Sequence, residues 1–145
     1  MRAVVQRVAE ARVSGGGAPL GAVMDGLCVL LGVAGTDTEE QAVKMAGRLT
    51  RLRIFPDEEG RFDRSVLDTR GAILLVSQFT LIAETARGNR PSFSEAARPE
   101  QAEPLYERVA AELRALGVPV ETGRFGAHMQ IELVNDGPVT IVLDL

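Results

Sequence analysis

Two short polar segments stand at the ends of apolar runs, where their side chains and backbone could do chemistry. Ser77-Gln78-Phe79-Thr80 follows Ala72-Ile73-Leu74-Leu75-Val76, and Asn135-Asp136-Gly137-Pro138-Val139-Thr140 lies between Met129–Val134 and Ile141–Leu145. Apolar strands bury themselves, so hydroxyls and amides grouped at their ends make poor core and good site material. Gly137-Pro138 adds a backbone signal. An X-Pro bond adopts cis at modest cost, and a preceding glycine removes the side-chain clash, so the dipeptide can present two carbonyls on one side. A plain turn between two strands is the competing reading of the same residues.

The residue inventory narrows the chemistry. Ser77 and Thr80 are candidate nucleophiles, but a hydroxyl needs an adjacent base to activate it. The chain holds one histidine, His128, and no glycine-framed nucleophile elbow, which leaves a Ser-His triad without its usual setting. His128 reads instead as a surface or interface residue. One histidine and one cysteine give no zinc-ligand spacing, and Gly15-Gly16-Gly17 lacks the Lys-Ser/Thr and helix of a phosphate loop. No metal or cofactor is expected. What remains is a site that binds and polarises with neutral groups and main chain.

The elements that must position these segments are legible by pattern. Residues 2–9, continuing to Val13, read as a strand, and Ser14–Gly17 as a turn. Ala18–Met24 and Leu27–Val33 read as two strands joined by a hairpin at Asp25-Gly26. A helix opens after Gly35–Glu40, with acids in its first turn and Ala42, Met45, Ala46, Leu49 and Leu52 as its apolar stripe. Its polar side carries Lys44, Arg48, Arg51 and Arg53, a solvated face or an RNA contact. Ile54-Phe55 begins a short strand stopped by Pro56, and Phe62–Leu67 resumes extended structure. Pro99–Leu116 is a second helix with Ala102, Leu105, Val109, Leu113 and Leu116 as its stripe, ended by Gly117. Val118–Thr122, Met129–Val134 and Val139–Leu145 read as strands. The expected architecture is α/β: one domain over residues 1–145, two main helices and mostly antiparallel strands.

Bulk properties exclude several classes. The 145 residues suffice for one domain with a real core. No apolar stretch approaches the roughly 20 residues that span a bilayer. The alternating N-terminus lacks the pattern of a signal peptide. A single cysteine, Cys28, in the apolar run Leu27–Leu31 reads as a buried small hydrophobe and suits a cytoplasmic protein. A formal net charge of -4 argues against a sequence-blind nucleic-acid binder, so any RNA contact needs a local basic patch. Arg87 and Arg90 frame a Gly-Asn turn before Pro91-Ser92-Phe93. Guanidinium groups on such a loop are natural phosphate partners, and Phe93 can pack or stack.

Four segments carry a family resemblance. Met1-Arg2-Ala3-Val4-Val5-Gln6-Arg7-Val8, Ser77-Gln78-Phe79-Thr80-Leu81, Arg87–Phe93 and Asn135–Thr140 resemble, in order and over the whole chain, the D-aminoacyl-tRNA deacylases. The resemblance implies a layered sheet–sheet–helix fold and a homodimer. It implies hydrolysis of the D-aminoacyl-tRNA ester to free D-amino acid and tRNA, with glycyl-tRNA as a further substrate. Ser77–Thr80 would be the catalytic segment. There the terminal adenosine's 2′-hydroxyl helps activate water, and backbone amides near Gln78-Phe79 hold the oxyanion, with Thr80 as the alternative nucleophile. Gly137-Pro138 would be a chiral gate donated across the dimer interface. Arg7, Asn135, Thr140, Arg87 and Arg90 carry over as substrate- and tRNA-contacting residues. No DNA or membrane partner is implied. The chain departs from the family pattern at Ile82, where tyrosine is frequent, and at His128, where an acid is frequent. The rival class is a dimeric RNA- or protein-binding module without turnover.

Overall fold

The first strand does most of the organising. A computed structural model describes all residues from Met1 to Leu145. Strand β1 (Arg2–Gly15) turns at Gly16-Gly17 into β2 (Ala18–Val23), followed by β3 (Gly26–Gly32). Helix α1 (Glu39–Arg51) leads to the small hairpin of β4 (Phe55–Pro56) and β5 (Phe62–Arg64). Then come β6 (Ala72–Ser77), a single 3-10 turn (Phe79–Ile82), helix α2 (Pro99–Ala115), β7 (Val120–Thr122) and β8 (Gln130–Asp144).

One edge of β1 pairs antiparallel with β8 along almost its whole length, from Arg2↔Asp144 to Ser14↔Gln130. The other edge takes β3 opposite residues 2–8 and β2 opposite residues 11–15, both antiparallel. Strands β2 and β3 therefore run end to end in one direction. Asp25-Gly26 is a break between collinear strands, not the hairpin that the dipeptide suggests. Local turn preference yields here to a long partner strand that seats both segments. The rest of the sheet is parallel, β3 with β6 and β6 with β7. The sheet is thus mixed, antiparallel around β1 and parallel at its centre.

Side-chain alternation divides the interior in two. Leu27, Val29 and Leu31 of β3, with Ile73 and Leu75 of β6, face the helices, where Met45, Leu49, Val109 and Leu113 meet them. Cys28, Leu74 and Val76 point the opposite way, toward Val8, Ala11, Val13 and Val23. The β1–β8 ribbon serves both interiors. Ala3, Val5, Val139 and Leu143 belong to the helix side, while Val13, Ile131 and Leu133 cover the other face of β3–β6. The result is the sheet–sheet–helix layering that the family resemblance implies.

Both helices form where the apolar period is 3.6. Thr38 and Gln41 form a capping box on α1, with Glu39 and Glu40 in the first turn and Arg48 and Arg51 in the last. Pro99 opens α2, where its missing N–H costs nothing. Leu52 is only partly buried, and Leu116, expected in the α2 stripe, is 41% exposed, because the helix ends at Ala115. No helix is long and apolar enough to cross a membrane.

The final strand also differs from expectation. Residues 130–144 are one strand where two are expected, and the competing turn between them does not form, because both arms pair with β1 instead of with each other. Leu49 tests the helix-side core. It is fully buried, so Leu49→Ala should lower unfolding free energy by about 2–5 kcal/mol in denaturant titration.

Candidate active site

Strand β6 ends as its parallel neighbour β3 ends, at the pair Leu31↔Ser77. The backbone N–H of Gln78 donates to the Leu31 carbonyl at 2.8 Å, fixing where the chain leaves the sheet. The 3-10 turn then packs over Gly32, where a Cβ would lie 3.0 Å from both the Gln78 carbonyl and the Leu81 side chain. A bare glycine is what allows this approach. The Gln78 amide is consequently committed to the sheet and is not free for an oxyanion. Phe79 and Thr80 open the turn, so their N–H groups lack the carbonyl three residues back that a helix interior would supply.

Side chains of this segment surround a cavity of about 590 Å³, within the usual size range of small-molecule sites. Ser77, Gln78 and Phe79 line it. Beyond them it is walled by Phe93, by Ala97 and Ala102 at the start of α2, and by Phe125 and Met129 before β8. Phe79 is 55% exposed and meets Phe93 edge to face, ring centroids 5.0 Å apart. Phe93 reaches this place because Glu84 and Ser92 exchange backbone hydrogen bonds of 2.8 and 2.9 Å, closing the loop between them. Arg87 and Arg90 lie exposed in that closed loop. The Tyr106 hydroxyl donates to the Leu75 carbonyl at 2.6 Å, and its ring packs against Phe125. Burial pushes the phenol up to about 12, so it remains a donor through the neutral range.

The hydroxyls have modest partners. Thr80 Oγ1 accepts from the Gln78 side-chain amide at 2.5 Å. No imidazole or carboxylate bonds to Ser77 or Thr80, and no acidic side chain lines the cavity. Nowhere do three His, Cys, Asp or Glu side chains converge. Cys28 is buried in the sheet, and burial pushes its thiol up to about 11. Ile82 packs against the far end of β3 at Gly32 and stays off the cavity lining, whereas His128 is exposed at its rim.

The second polar segment forms a different structure. Between Val8↔Asn135 and Gln6↔Thr140, β8 spends five steps where β1 spends two, so Asp136–Val139 stands off the ladder as a large bulge. Arg7 is the β1 residue opposite this gap, and its side chain fills it. Nε donates to the Asp136 carbonyl at 2.8 Å, and Nη1 donates to the Ile54 carbonyl at 2.7 Å. The guanidinium lies 5.8 Å from the centre of the Phe62 ring. Asn135 clips the bulge from within. Its Oδ1 accepts from the Val139 N–H at 2.7 Å, and its Nδ2 donates to the Val139 carbonyl at 3.1 Å and to Thr140 Oγ1 at 3.2 Å. Gln6 Nε2 also donates to Thr140 Oγ1, at 3.4 Å. Gly137 and Pro138, joined by a cis bond, form the exposed tip.

Arg7, Asn135 and Thr140 are therefore brought together by the bulge, where their hydrogen bonds are spent on its backbone and on one another. Ser77–Phe79 and Phe93 are brought together by the cavity. Within one chain the two groups are separate, since no residue from Asn135 to Thr140 lines the cavity. Sequence reasoning overlooked the wall formed by Phe125 and Met129. The turn residues Gly126-Ala127 beside that phenylalanine were the available signal.

Fold and site define a layered α/β domain whose candidate centre is made of main-chain groups and neutral side chains. Comparison with known proteins gives that class a family. The D-Tyr-tRNA(Tyr) deacylase family matches residues 4–144. A D-aminoacyl-tRNA deacylase of Roseiflexus sp. is 60% identical over 99% of this chain and 93% of its own length. That of Deinococcus radiodurans is 57% identical over the full length of both. Among solved structures, the c-Myc DNA Unwinding Element Binding Protein superposes with a TM-score of 0.95, at 44% identity, over 100% of this chain and 99% of that one. The chain belongs to the D-Tyr-tRNA(Tyr) deacylase family.

The clip makes a checkable claim about the bulge. In Asn135→Ala the Val139 N–H loses its acceptor, at about 1 kcal/mol. Its amide should exchange faster than in the parent protein while the Ala3 and Val5 amides of β1 remain protected.

Proposed function

We propose that this protein hydrolyses the ester of D-aminoacyl-tRNA, releasing free D-amino acid and tRNA, and accepts glycyl-tRNA as well. The observation that carries the reading is the Ser77–Thr80 segment. Ser77, Gln78 and Phe79 line an apolar cavity, the Phe79 and Thr80 amides open the turn beside it, and no base is bonded to the Ser77 or Thr80 hydroxyl. An aminoacyl-tRNA ester brings its own activating group, the vicinal 2′-hydroxyl of the terminal ribose. With the adenosine in the cavity, that hydroxyl helps to activate water, and the amides of Phe79 and Thr80 receive the developing oxyanion. Such donors contribute roughly 3–4 kcal/mol each when preorganised. Aminoacyl-tRNA is made for translation, so the reading puts the protein in the cytoplasm.

Chirality is read by the bulge of a second copy. Gly137 and Pro138 do not line the cavity of their own chain, yet the segment is exposed and held by Arg7 and Asn135. In a homodimer the bulge tip enters the partner's cavity, meets the substrate α-ammonium with carbonyls, and leaves no space for an L side chain. A filter built on shape cannot reject an absent side chain, hence glycine. Arg87 and Arg90, exposed in the loop closed by Glu84 and Ser92, contact tRNA phosphates. Arg7, Asn135 and Thr140 act on the substrate by holding the gate.

The rival is a dimeric RNA- or protein-binding module without turnover. Incubation with D-tyrosyl- and L-tyrosyl-tRNA separates the two. Release from the D ester alone is expected; no release above the uncatalysed rate favours the module, and equal release from both removes the chiral filter.

Two further outcomes follow from the mechanism. Thr80→Ala and Ser77→Ala should retain turnover, while a substrate ending in 2′-deoxyadenosine should be nearly inert; complete loss in folded Thr80→Ala would indicate a covalent route. In Gly137→Ala, the new Cβ would lie 2.7 Å from the Val139 nitrogen at a backbone φ of 150°. D-ester cleavage should fall sharply and Tm should drop modestly from strain in the bulge, while the amides of the flanking β1–β8 pairs stay protected.

A further inference from the structure

The cavity wall is electrically one-sided. The chain has 20 acidic residues and a net charge of -4, yet none of the acids lines the cavity. Its only basic side chains are Arg98, immediately before α2, and His128, on the segment leading into β8. Neither takes part in an ion pair. Both are exposed at the rim, whereas Val76, Ala97 and Ala102 behind them are buried and apolar. The adjacent acids Glu95 and Glu100 do not line the cavity. An apolar interior with aromatic edges and a rim that carries one guanidinium, one imidazole and no acid complements a flat base joined to an anionic group.

We infer that Arg98 and His128 hold the phosphodiester on the 5′ side of the terminal adenosine. This rests on the reading of the cavity as the adenosine site and adds the phosphate contact to it. Arg98 supplies a planar, permanently charged donor, and His128 supplies a second N–H from the facing segment. The two residues touch no reacting atom. They position the substrate, and their removal should act on binding rather than on the chemical step.

The probes are adenosine 5′-monophosphate and adenosine, titrated calorimetrically into the intact protein. The monophosphate should bind about tenfold more tightly, the size of one charge-assisted hydrogen bond. That preference should disappear in Arg98→Gln and shrink in His128→Asp, an exposed position where folding is not at stake. In D-tyrosyl-tRNA deacylation, Arg98→Gln should raise KM with kcat held. The log–log salt dependence of KM should flatten by about 0.7, the loss of one phosphate contact to a single strand. Equal affinity for the two probes, or a phosphate preference that survives in Arg98→Gln, overturns the inference even where deacylation is robust. A preference that Arg98→Gln abolishes and His128→Asp weakens, in a protein without deacylase activity, upholds the phosphate rim and removes the enzymatic reading alone.

Discussion

The pairing of β1 with β8 is the constraint from which the rest of the molecule follows. This ribbon belongs to two interiors at once. Its Ala3/Leu143 end packs under the helices, and its Val13/Ile131 end covers the opposite face of β3 and β6. A strand shows one face at odd positions and the other at even positions, so a ribbon that changes sides must break its alternation somewhere. It does so from Arg7 to Glu10, where the β1–β8 register shifts between Gln6 and Val8 and again between Val8 and Glu10. There β1 supplies an arginine where a core residue would otherwise sit, and β8 supplies four residues that leave the ladder. The bulge, the cluster of Arg7, Asn135 and Thr140, and the exposed Gly137-Pro138 tip are consequences of that crossing.

The cavity segment is positioned by a separate device that depends on the same sheet. Parallel pairing of β3 with β6 brings both strands to an end together. The Gln78–Leu31 hydrogen bond and the close packing over Gly32 convert this end into a fixed turn. Parallel strand ends are where α/β sheets commonly present ligand sites, since the chain must leave the sheet there with its backbone groups uncommitted. Phe93 and Phe125 then wall the cavity from two other parts of the chain, with Tyr106 packed behind Phe125. Its geometry is held by backbone and aromatic packing, and only its rim carries charge.

Much of this was readable from sequence wherever the determinant was local. The stripe of Ala42, Met45, Ala46 and Leu49, with Thr38 as cap, specifies α1 on its own terms. Pro99 and Leu113 do the same for α2. The switch from Leu74-Leu75-Val76 to Ser77-Gln78 marks the site because burial ends there. What stayed hidden was set by partners distant in the chain. Asp25-Gly26 looks like a hairpin until β1 proves long enough to seat the strands on both sides of it. Asn135–Pro138 looks like a reversal until both flanking arms find the same partner. The commitment of the Gln78 amide to Leu31 depends on the register of a parallel pair, which leaves no local trace. Phe125 and Met129 join the cavity only because the chain folds back before β8.

The bulge is clamped at both ends, by Val8↔Asn135 on one side and Gln6↔Thr140 on the other. Loss or gain of one residue between the clamps has only two outlets. Either the stand-off segment itself changes length, or the last arm slips and exchanges Ile141 and Leu143 for Val142 and Asp144 at the buried face. The second outlet would move a carboxylate to the helix-side core. Variation in chain length is thus confined to the tip or forbidden altogether, which makes this stretch a ruler: its residue count is under tighter mechanical control than the identity of most side chains along it.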